Sequence, residues 1–520
     1  MGRINTNVSS LIAQRVLSTN NGSLNQSLER LSTGLRINRG KDDPAGLIAS
    51  QNLRLEKGAV AQAIQNAERA DQVVAIAEGG LQEISDLLNE IQALVTATSN
   101  DGGISTEERR ANQLQIDSIL QTIDRVASAT SFQGLRLLNG NLDYTTEAVS
   151  TSLTSYKVNG AKLDFNDSLD VEVVVTGSAQ VGGFYLSFGA ASLDLATSSS
   201  FVIEIAGTRG SRELSFASGT TISNIVQAIN SFTDVTGVEA TLSGTPGSGL
   251  ALRSIGFGES QFVSVKVVNA GGINTAEPQA GVYRFNATNT NAAVTAGATL
   301  FSAASNRITD LGQDVTATVN GISATTTGTV ARINTDFLDV ELDLSTSTSV
   351  TNAHAQRLGA ISAFTITGGG ADFQLAGRVD INGKVSIGIP NFAVRNVGRS
   401  ELDIAGVDGT FYLNDLAAGR RLNVVDGDTS GAQEVINQAI LEVTSLRGRL
   451  GAFQKNTIGS TIRSLAVSLE NTTAAESVIR DTDFANETSL LTRSQVLLNA
   501  STNVLSIANN APQAVLQLLG

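Results

Sequence analysis

The sequence predicts an α+β protein. Long antiparallel helical coiled-coil arms, one from each terminus, flank an inserted β-rich outer region of one or two domains. Three observations carry this. Residues 1–131 contain no aromatic residue and little Gly. Apolar residues in both end regions recur in the 4-3 alternation of an a/d seam. Residues 146–400 hold 29 of the 50 Gly and are rich in Thr, Ser and Val, with several period-two runs.

The elements follow in chain order. Leu24, Leu28, Leu31 and Leu35 keep i, i+4, i+7, i+11 spacing and predict a first helix. Asp43-Pro44 supplies an N-cap residue and a Pro at the first helical position. From Pro44 a helix is expected to reach about Thr98, which is about 80 Å at 1.5 Å rise per residue. A compact chain of this length would have a radius of gyration of about 24 Å, so an elongated molecule is expected. Ala77, Leu81, Ile84, Leu88, Ile91 and Val95 form the stripe of that helix and read as core within one subunit. Gly58, Gly79 and Gly80 weaken it locally. Asn100-Asp101-Gly102-Gly103 is a turn, and Ser105 with Glu108 has capping-box spacing for the next helix. Ile116, Leu120, Ile123 and Ala127 are its apolar face.

Strands are expected at 171–175, 184–188, 201–205 and 262–267, with one helix near 221–231. Asn320-Gly321 and Asn382-Gly383 have the composition of tight hairpin turns. Helices return in the last region. Ile458, Ile462, Leu465 and Leu469 mark one stripe, and Leu497, Ala500, Val504 and Ile507 another. Five segments result: 1–40, 41–145, 146–400, 401–480 and 481–520.

Charge and composition exclude several functions. Lys and Arg number 35 against 49 Asp and Glu, a net charge of −14, which argues against a nucleic-acid partner. The chain has no Cys and one His, His354, so thiolate chemistry, disulfides and two-His metal sites are excluded. No cofactor is expected. No apolar run reaches the length of a membrane span, so no membrane insertion is expected. Residues 1–41 carry six basic residues and one acid. That composition also fits an organelle transit peptide, but not a secretory signal, because it lacks a compact apolar core and a cleavage site.

Two loops have only superficial motifs. Asp426-Gly427-Asp428-Thr429-Ser430-Gly431 resembles a calcium loop, but its twelfth position is Asn437. It reads as a turn in which Asp428 or Ser430 caps the next helix. Gly244-Thr245-Pro246-Gly247-Ser248-Gly249 lacks the Lys-Ser/Thr of a phosphate-binding loop and reads as a turn. His354 has no catalytic company and reads as a surface or loop residue.

Longer motifs resemble one family. Ile4-Asn5-Thr6-Asn7 through Leu11-Ile12-Ala13-Gln14, Leu31-Ser32-Thr33-Gly34-Leu35-Arg36-Ile37-Asn38 and Lys41-Asp42-Asp43-Pro44-Ala45-Gly46 resemble the N-terminal region of bacterial flagellins. So do Ile123-Asp124-Arg125-Val126 and Phe132-Gln133-Gly134 through Leu138-Asn139-Gly140. Arg449-Leu450-Gly451-Ala452-Phe453-Gln454, Glu476-Ser477-Val478-Ile479-Arg480-Asp481-Thr482-Asp483 and Ala508-Asn509-Asn510-Ala511-Pro512-Gln513 resemble the C-terminal region. Together they cover about half the chain. Residues 201–268 resemble a repeat found inside some flagellins and filament-cap proteins. Gly368-Gly369-Gly370-Ala371-Asp372-Phe373-Gln374-Leu375 resembles a segment that re-enters the filament core, near 364–400.

The resemblance implies a non-enzymatic, self-assembling subunit of the flagellar filament. It implies ends that are disordered in the monomer and order as an inner tube, with Leu24, Leu28, Leu31, Leu35, Leu497, Ala500, Val504 and Ile507 packed between subunits. Arg36, Asp42, Asp43 and Pro44 form the core signature. The acids and Arg36 read equally as caps with solvated charge or as polar contacts joining inner and outer tubes. The basic N-terminus then belongs to export and the inner tube, with no cleaved signal peptide and an extracellular destination. The implied partners are the chain itself, an export chaperone at the C-terminal helix, and hook-associated junction and cap proteins, with O-linked sugars on the outer domain. Flagellins that trigger the animal innate receptor carry basic residues where this chain has Glu90 and Gln92, which implies weak recognition. The alternatives are a hook–filament junction protein or a flagellin-derived surface adhesin.

Overall fold

A computed structural model describes residues 6–519, apart from 101, 165–166, 244–248, 274–279, 287–288, 294–297, 348–354, 357 and 405–406. The helices are α1 (Val8–Thr33), α2 (Pro44–Thr98), α3 (Thr106–Ala129), α4 (Ile222–Asn230), α5 (Thr233–Thr236), α6 (Thr429–Ala452), α7 (Gly459–Arg480) and α8 (Phe484–Leu519). A π-helical turn, Phe453–Ile458, joins α6 to α7. The chain forms two compact units. One comprises Met1–Gly79, Phe373–Lys384 and Ser445–Gly520; the other comprises Gly80–Asp372 and Val385–Thr444.

In the first unit the sequence determines where helices stop. Gly34 adopts φ +73° and closes α1 by donating its N–H to the Arg30 carbonyl at 2.8 Å. Pro44 opens α2 behind Asp43, whose carboxylate accepts the Gly46 N–H at 2.9 Å. Gly46 is required there. A Cβ would stand 2.5 Å from Asp43 Oδ2 and 2.7 Å from Ile37 Cδ1. At the π turn the Gln454 amide reaches Asp71 Oδ1 at 3.2 Å, and the Phe453 ring meets that of Phe373.

The second unit contains the buried stripe of α2 beyond residue 80. Leu81, Ile84, Leu88, Ile91 and Val95 are all at most 1% exposed. α3 begins with the expected capping box. Ser105 Oγ accepts the Glu108 N–H, and Glu108 Oε2 accepts the Ser105 N–H at 2.8 Å. The buried Gln113 amide fixes the 413–424 loop by donating to the Leu416 carbonyl and accepting from the Val424 N–H, each at 2.9 Å.

Two antiparallel β lobes complete this unit. The first pairs a five-stranded sheet, centred on Leu169–Gly177, with a four-stranded sheet that includes Leu153–Ala161 and Leu338–Leu344. Val171, Val173, Val175, Val340 and Phe364 fill its core. The second joins a five-stranded sheet around Gly183–Ser187 to a four-stranded sheet of Ile308–Leu311, Phe262–Asn269, Ser200–Ala206 and Ser211–Ala217. Here α4 buries Ile222, Ile225 and Ile229 against Phe184, Phe201 and Leu252. Inward-facing residues alternate with exposed ones along these strands, as the period-two runs require.

The structure departs from the sequence reading at three points. Leu35 is not on α1, because the glycine stop precedes it. The Asn320-Gly321 pair does form a tight turn with both φ positive. Asn382-Gly383 instead lies in a 3₁₀ turn, Ile381–Gly383, since Asp380 Oδ1 captures the Gly383 N–H at 2.7 Å. The terminal segments, expected to order on assembly, form a helix pair here. Ile458 lies in the π turn and not on the helix that carries Ile462.

Candidate assembly surface of the terminal helices

α1 and α8 pack along each other through small and polar side chains. Asn7 caps α1 by accepting the Ser10 N–H at 3.0 Å, and its amide donates to the Ala508 carbonyl at 2.7 Å. Ser10 Oγ meets Asn509 Oδ1, and Asn20 Nδ2 meets Ser501 Oγ, each at 2.6 Å. Arg30 pairs with Glu487 at 3.5 Å, with the glutamate side chain 7% exposed. Among the described residues the buried ones are Ser10, Ala13 and Ser27 on α1, and Glu487, Ser494, Ser501 and Ala508 on α8. Small side chains let the helix axes approach closely.

The bulky apolar residues lie elsewhere. Leu28, Leu497, Val504 and Ile507 are 47%, 45%, 55% and 70% exposed. Ala500 is exposed, and Leu24, Leu31 and Leu35 are half-buried. Leu11, Ile12 and Val16 are also exposed. Ile12, Val16, Leu497 and Val504 line an open groove of about 310 Å³ between the helices. The eight residues expected to pack between subunits are therefore not the contact between α1 and α8. They border the pair. The contacting positions instead keep heptad spacing, 13, 20 and 27 on α1 and, running the opposite way, 508, 501 and 494 on α8. That spacing was readable, but the leucines carry the stronger hydrophobic signal and drew the register to themselves.

Below the pair the two chain segments cross. Leu35 and Asp481 form an isolated antiparallel bridge. Arg36 N–H donates to the Arg480 carbonyl at 2.7 Å, and Thr482 N–H to the Gly34 carbonyl at 2.9 Å. The Arg36 guanidinium donates to the Ile479 carbonyl at 2.6 Å. Asp42 Oδ2 accepts the N–H groups of Arg39 at 2.8 Å and Asn38 at 3.2 Å. The Arg39 hydrogen bond above all holds the Asp42 carboxyl below its ordinary range. Asp42, Asp43 and Pro44 thus shape the turn into α2, while Arg36 fastens the crossing.

The remaining candidates lie apart from this surface. Glu90 is exposed on α2, and Gln92 donates to Asn437 Oδ1 at 3.3 Å. Asp428 Oδ1 accepts the Ser430 N–H at 2.9 Å at the start of α6, so this loop is a cap. Residues 244–248 and His354 lie outside the described residues. Among the described residues, no helix is long and apolar enough to cross a membrane.

Comparison with known proteins bears on both ends of the chain. The bacterial flagellin N-terminal helical region matches residues 4–143, and the C-terminal helical region matches residues 433–519. The chain belongs to the bacterial flagellin family. It is similar over its whole length to the flagellin of Salmonella muenchen, with 28% identity and 99% of each chain covered. The B-type flagellin of Pseudomonas aeruginosa is also 28% identical, again over 99% of each chain. The flagellin hook IN motif matches residues 200–256, in the second β lobe. Among solved structures, FliC from Burkholderia pseudomallei is 12% identical with a TM-score of 0.22, covering 74% of this chain and 99% of that one. The family is one of structural proteins, and the chain is an extracellular subunit of the flagellar filament.

Proposed function

We propose that the α1–α8 pair is the polymerisation seam of this filament subunit. One observation carries the reading. The two helices bind each other through serine, alanine and asparagine, and leave Leu28, Leu497, Val504 and Ile507 on the outside. A helix pair with its bulkiest apolar residues in water gains by covering them, at about 25 cal/mol per Å². Identical subunits cover them through heterologous contacts that do not close, which yields an open helical polymer.

In this reading residues 1–40 and 481–520 form the inner tube, 41–145 and 401–480 the core arms, and 146–400 the outer domains, with a re-entry to the core near 364–400. Before assembly the exposed C-terminal face is the surface that an export chaperone covers. The hook-associated junction and cap proteins bind the same face at the filament ends. The Ser/Thr-rich outer lobes carry O-linked sugars. Export proceeds without a cleaved signal peptide. The chain has no catalytic role. Glu90 and Gln92 make it a weak ligand for the animal innate receptor.

Electron microscopy and sedimentation test the seam. Salting with sulfate, which strengthens apolar burial, should drive the full chain into long filaments. A chain lacking residues 1–34 and 491–520 should stay monomeric. Filaments from the truncated chain would overturn the seam. No filaments from either chain would favour a junction protein or adhesin.

A further inference from the structure

Residues 373–384 form a turn held on the helical unit, and the turn lifts one apolar side chain into solvent. Val379 is 90% exposed. It does not sit on a loose loop. The Asn66 amide donates to the Gln374 carbonyl at 3.3 Å. Leu375 N–H donates to the Gly383 carbonyl at 2.9 Å, and Asp380 Oδ1 accepts the Gly383 N–H at 2.7 Å. The Gln374 amide closes the turn on the Arg378 carbonyl. Leu375 is buried, and Gly377 lies against Ala59 so closely that a Cβ would be 3.3 Å from its carbonyl carbon. An ordered turn that presents valine to water gains nothing within its own chain.

The same unit carries a matching feature. On α2, Leu55 is 73% exposed between the exposed Arg54 and Glu56. On the turn, Val379 stands between the exposed Arg378 and Asp380. Both read basic, apolar, acidic. At 3.6 residues per turn, Arg54 and Glu56 flank Leu55 on opposite sides of the helix. An antiparallel approach sets Arg378 against Glu56 and Asp380 against Arg54, with Val379 on Leu55 between them. Within one chain Leu55 and Val379 do not cover each other, as their exposures show.

We infer that the 373–384 turn is a peg that docks on the Arg54-Leu55-Glu56 face of a second copy of this chain. The contact is heterologous, so each subunit offers one peg and one socket, as an open polymer requires. The charged rim fixes register and excludes water from the apolar centre. The inference rests on the filament-subunit reading, and adds an interlock outside the terminal helices.

The cysteine-free chain makes the test clean. Val379→Cys and Leu55→Cys variants are mixed, polymerised and oxidised. A disulfide dimer should form in mixed filaments. It should be absent from filaments of either variant alone and from the unpolymerised mixture. Arg378→Glu and Glu56→Arg should each raise the critical concentration about fivefold, the scale of one exposed ion pair. The double variant should return to within about twofold, with circular dichroism melts of the monomers unchanged throughout. Mixed filaments without the dimer, or charge reversals that fail to rescue each other, would overturn the contact. If the dimer formed only with an added junction or cap protein, the second-copy partner would be overturned. Failure of the unmodified chain to polymerise would overturn the filament reading and the contact with it.

Discussion

Truncating Val504 and Ile507 to Ala should raise the critical concentration for filament growth by nearly two orders of magnitude. Ile→Ala removes three carbons and Val→Ala two, each worth about 0.8 kcal/mol on full burial. These side chains are already partly covered, being 70% and 55% exposed, so assembly can recover only that share. The loss is about 1.7 kcal/mol for Ile507 and about 0.9 kcal/mol for Val504. Together this is about 2.6 kcal/mol, or about an 80-fold rise in critical concentration. The assay is pelleting of filaments over a concentration series, with subunit left in the supernatant measured at each point. Alanine keeps helix propensity, and Ile507 lies outside the groove that Val504 lines beside α1, so circular dichroism of the monomer checks that the pair is intact. A truncated pair Ser494→Ala and Ser501→Ala provides the contrast, since it alters the inner face and not the outer one. If Val504→Ala/Ile507→Ala filaments grew at the unmodified critical concentration, the exposed face would not be the seam.

Three further outcomes are expected. Gly46→Ala should destabilise the monomer by about 1–2 kcal/mol in thermal unfolding, because its Cβ displaces the Asp43 cap and the buried Ile37. Burial lifts the Glu442 carboxyl above its ordinary value of 4.5, against opposing pulls from the Gly398 N–H and Lys157. Above pH 4.5 the unfolded chain ionises this carboxyl before the fold does, so its penalty is absent below pH 4.5, grows up to the lifted value and is complete above it. Glu442→Gln should therefore raise the melting temperature at pH 8 and change it little at pH 4.5. In a receptor reporter assay the unmodified chain should be a weak agonist, and Glu90→Arg with Gln92→Arg should strengthen it; robust activation by the unmodified chain at low dose would refute that reading.

Much of the helical framework was legible because local signals agreed with each other. Asp43-Pro44 set the start of α2, and the 4-3 stripe carried it to Thr98. Ser105 and Glu108 announced α3 three residues apart. Signals failed where two of them competed. The spacing of Leu24 through Leu35 runs across Gly34, and backbone conformation decided the outcome, since the left-handed Gly34 ends the helix whatever follows. Asn382-Gly383 had hairpin composition, but the Asp380 side chain took the amide that a tight turn would use. At the candidate seam, periodicity identified the helices, and most of the bulky residues it singled out lie on the outside of the pair. A stripe of leucines shows that something will be covered. It does not show whether the cover lies in the same chain, and here serine and alanine at heptad spacing took the intrachain role. The π turn at Phe453–Ile458 had no signal, because the extra residue it accommodates leaves no mark in composition.

The Asn7 amide donates to a carbonyl 501 residues further along the chain. No residue near Asn7 in sequence can substitute, because α1 turns its buried face to α8. Loop closure over such a span is entropically unfavourable by (3/2)RT ln n, and no local contact offsets it in advance. α1 therefore finds its mate only after α8 has been made, whatever has folded in between. Chains cut short anywhere upstream of α8 leave α1 without its partner and with both of its faces bare. The terminal pair therefore ties together residues about five hundred positions apart, and α1 is paired only in a chain that carries α8.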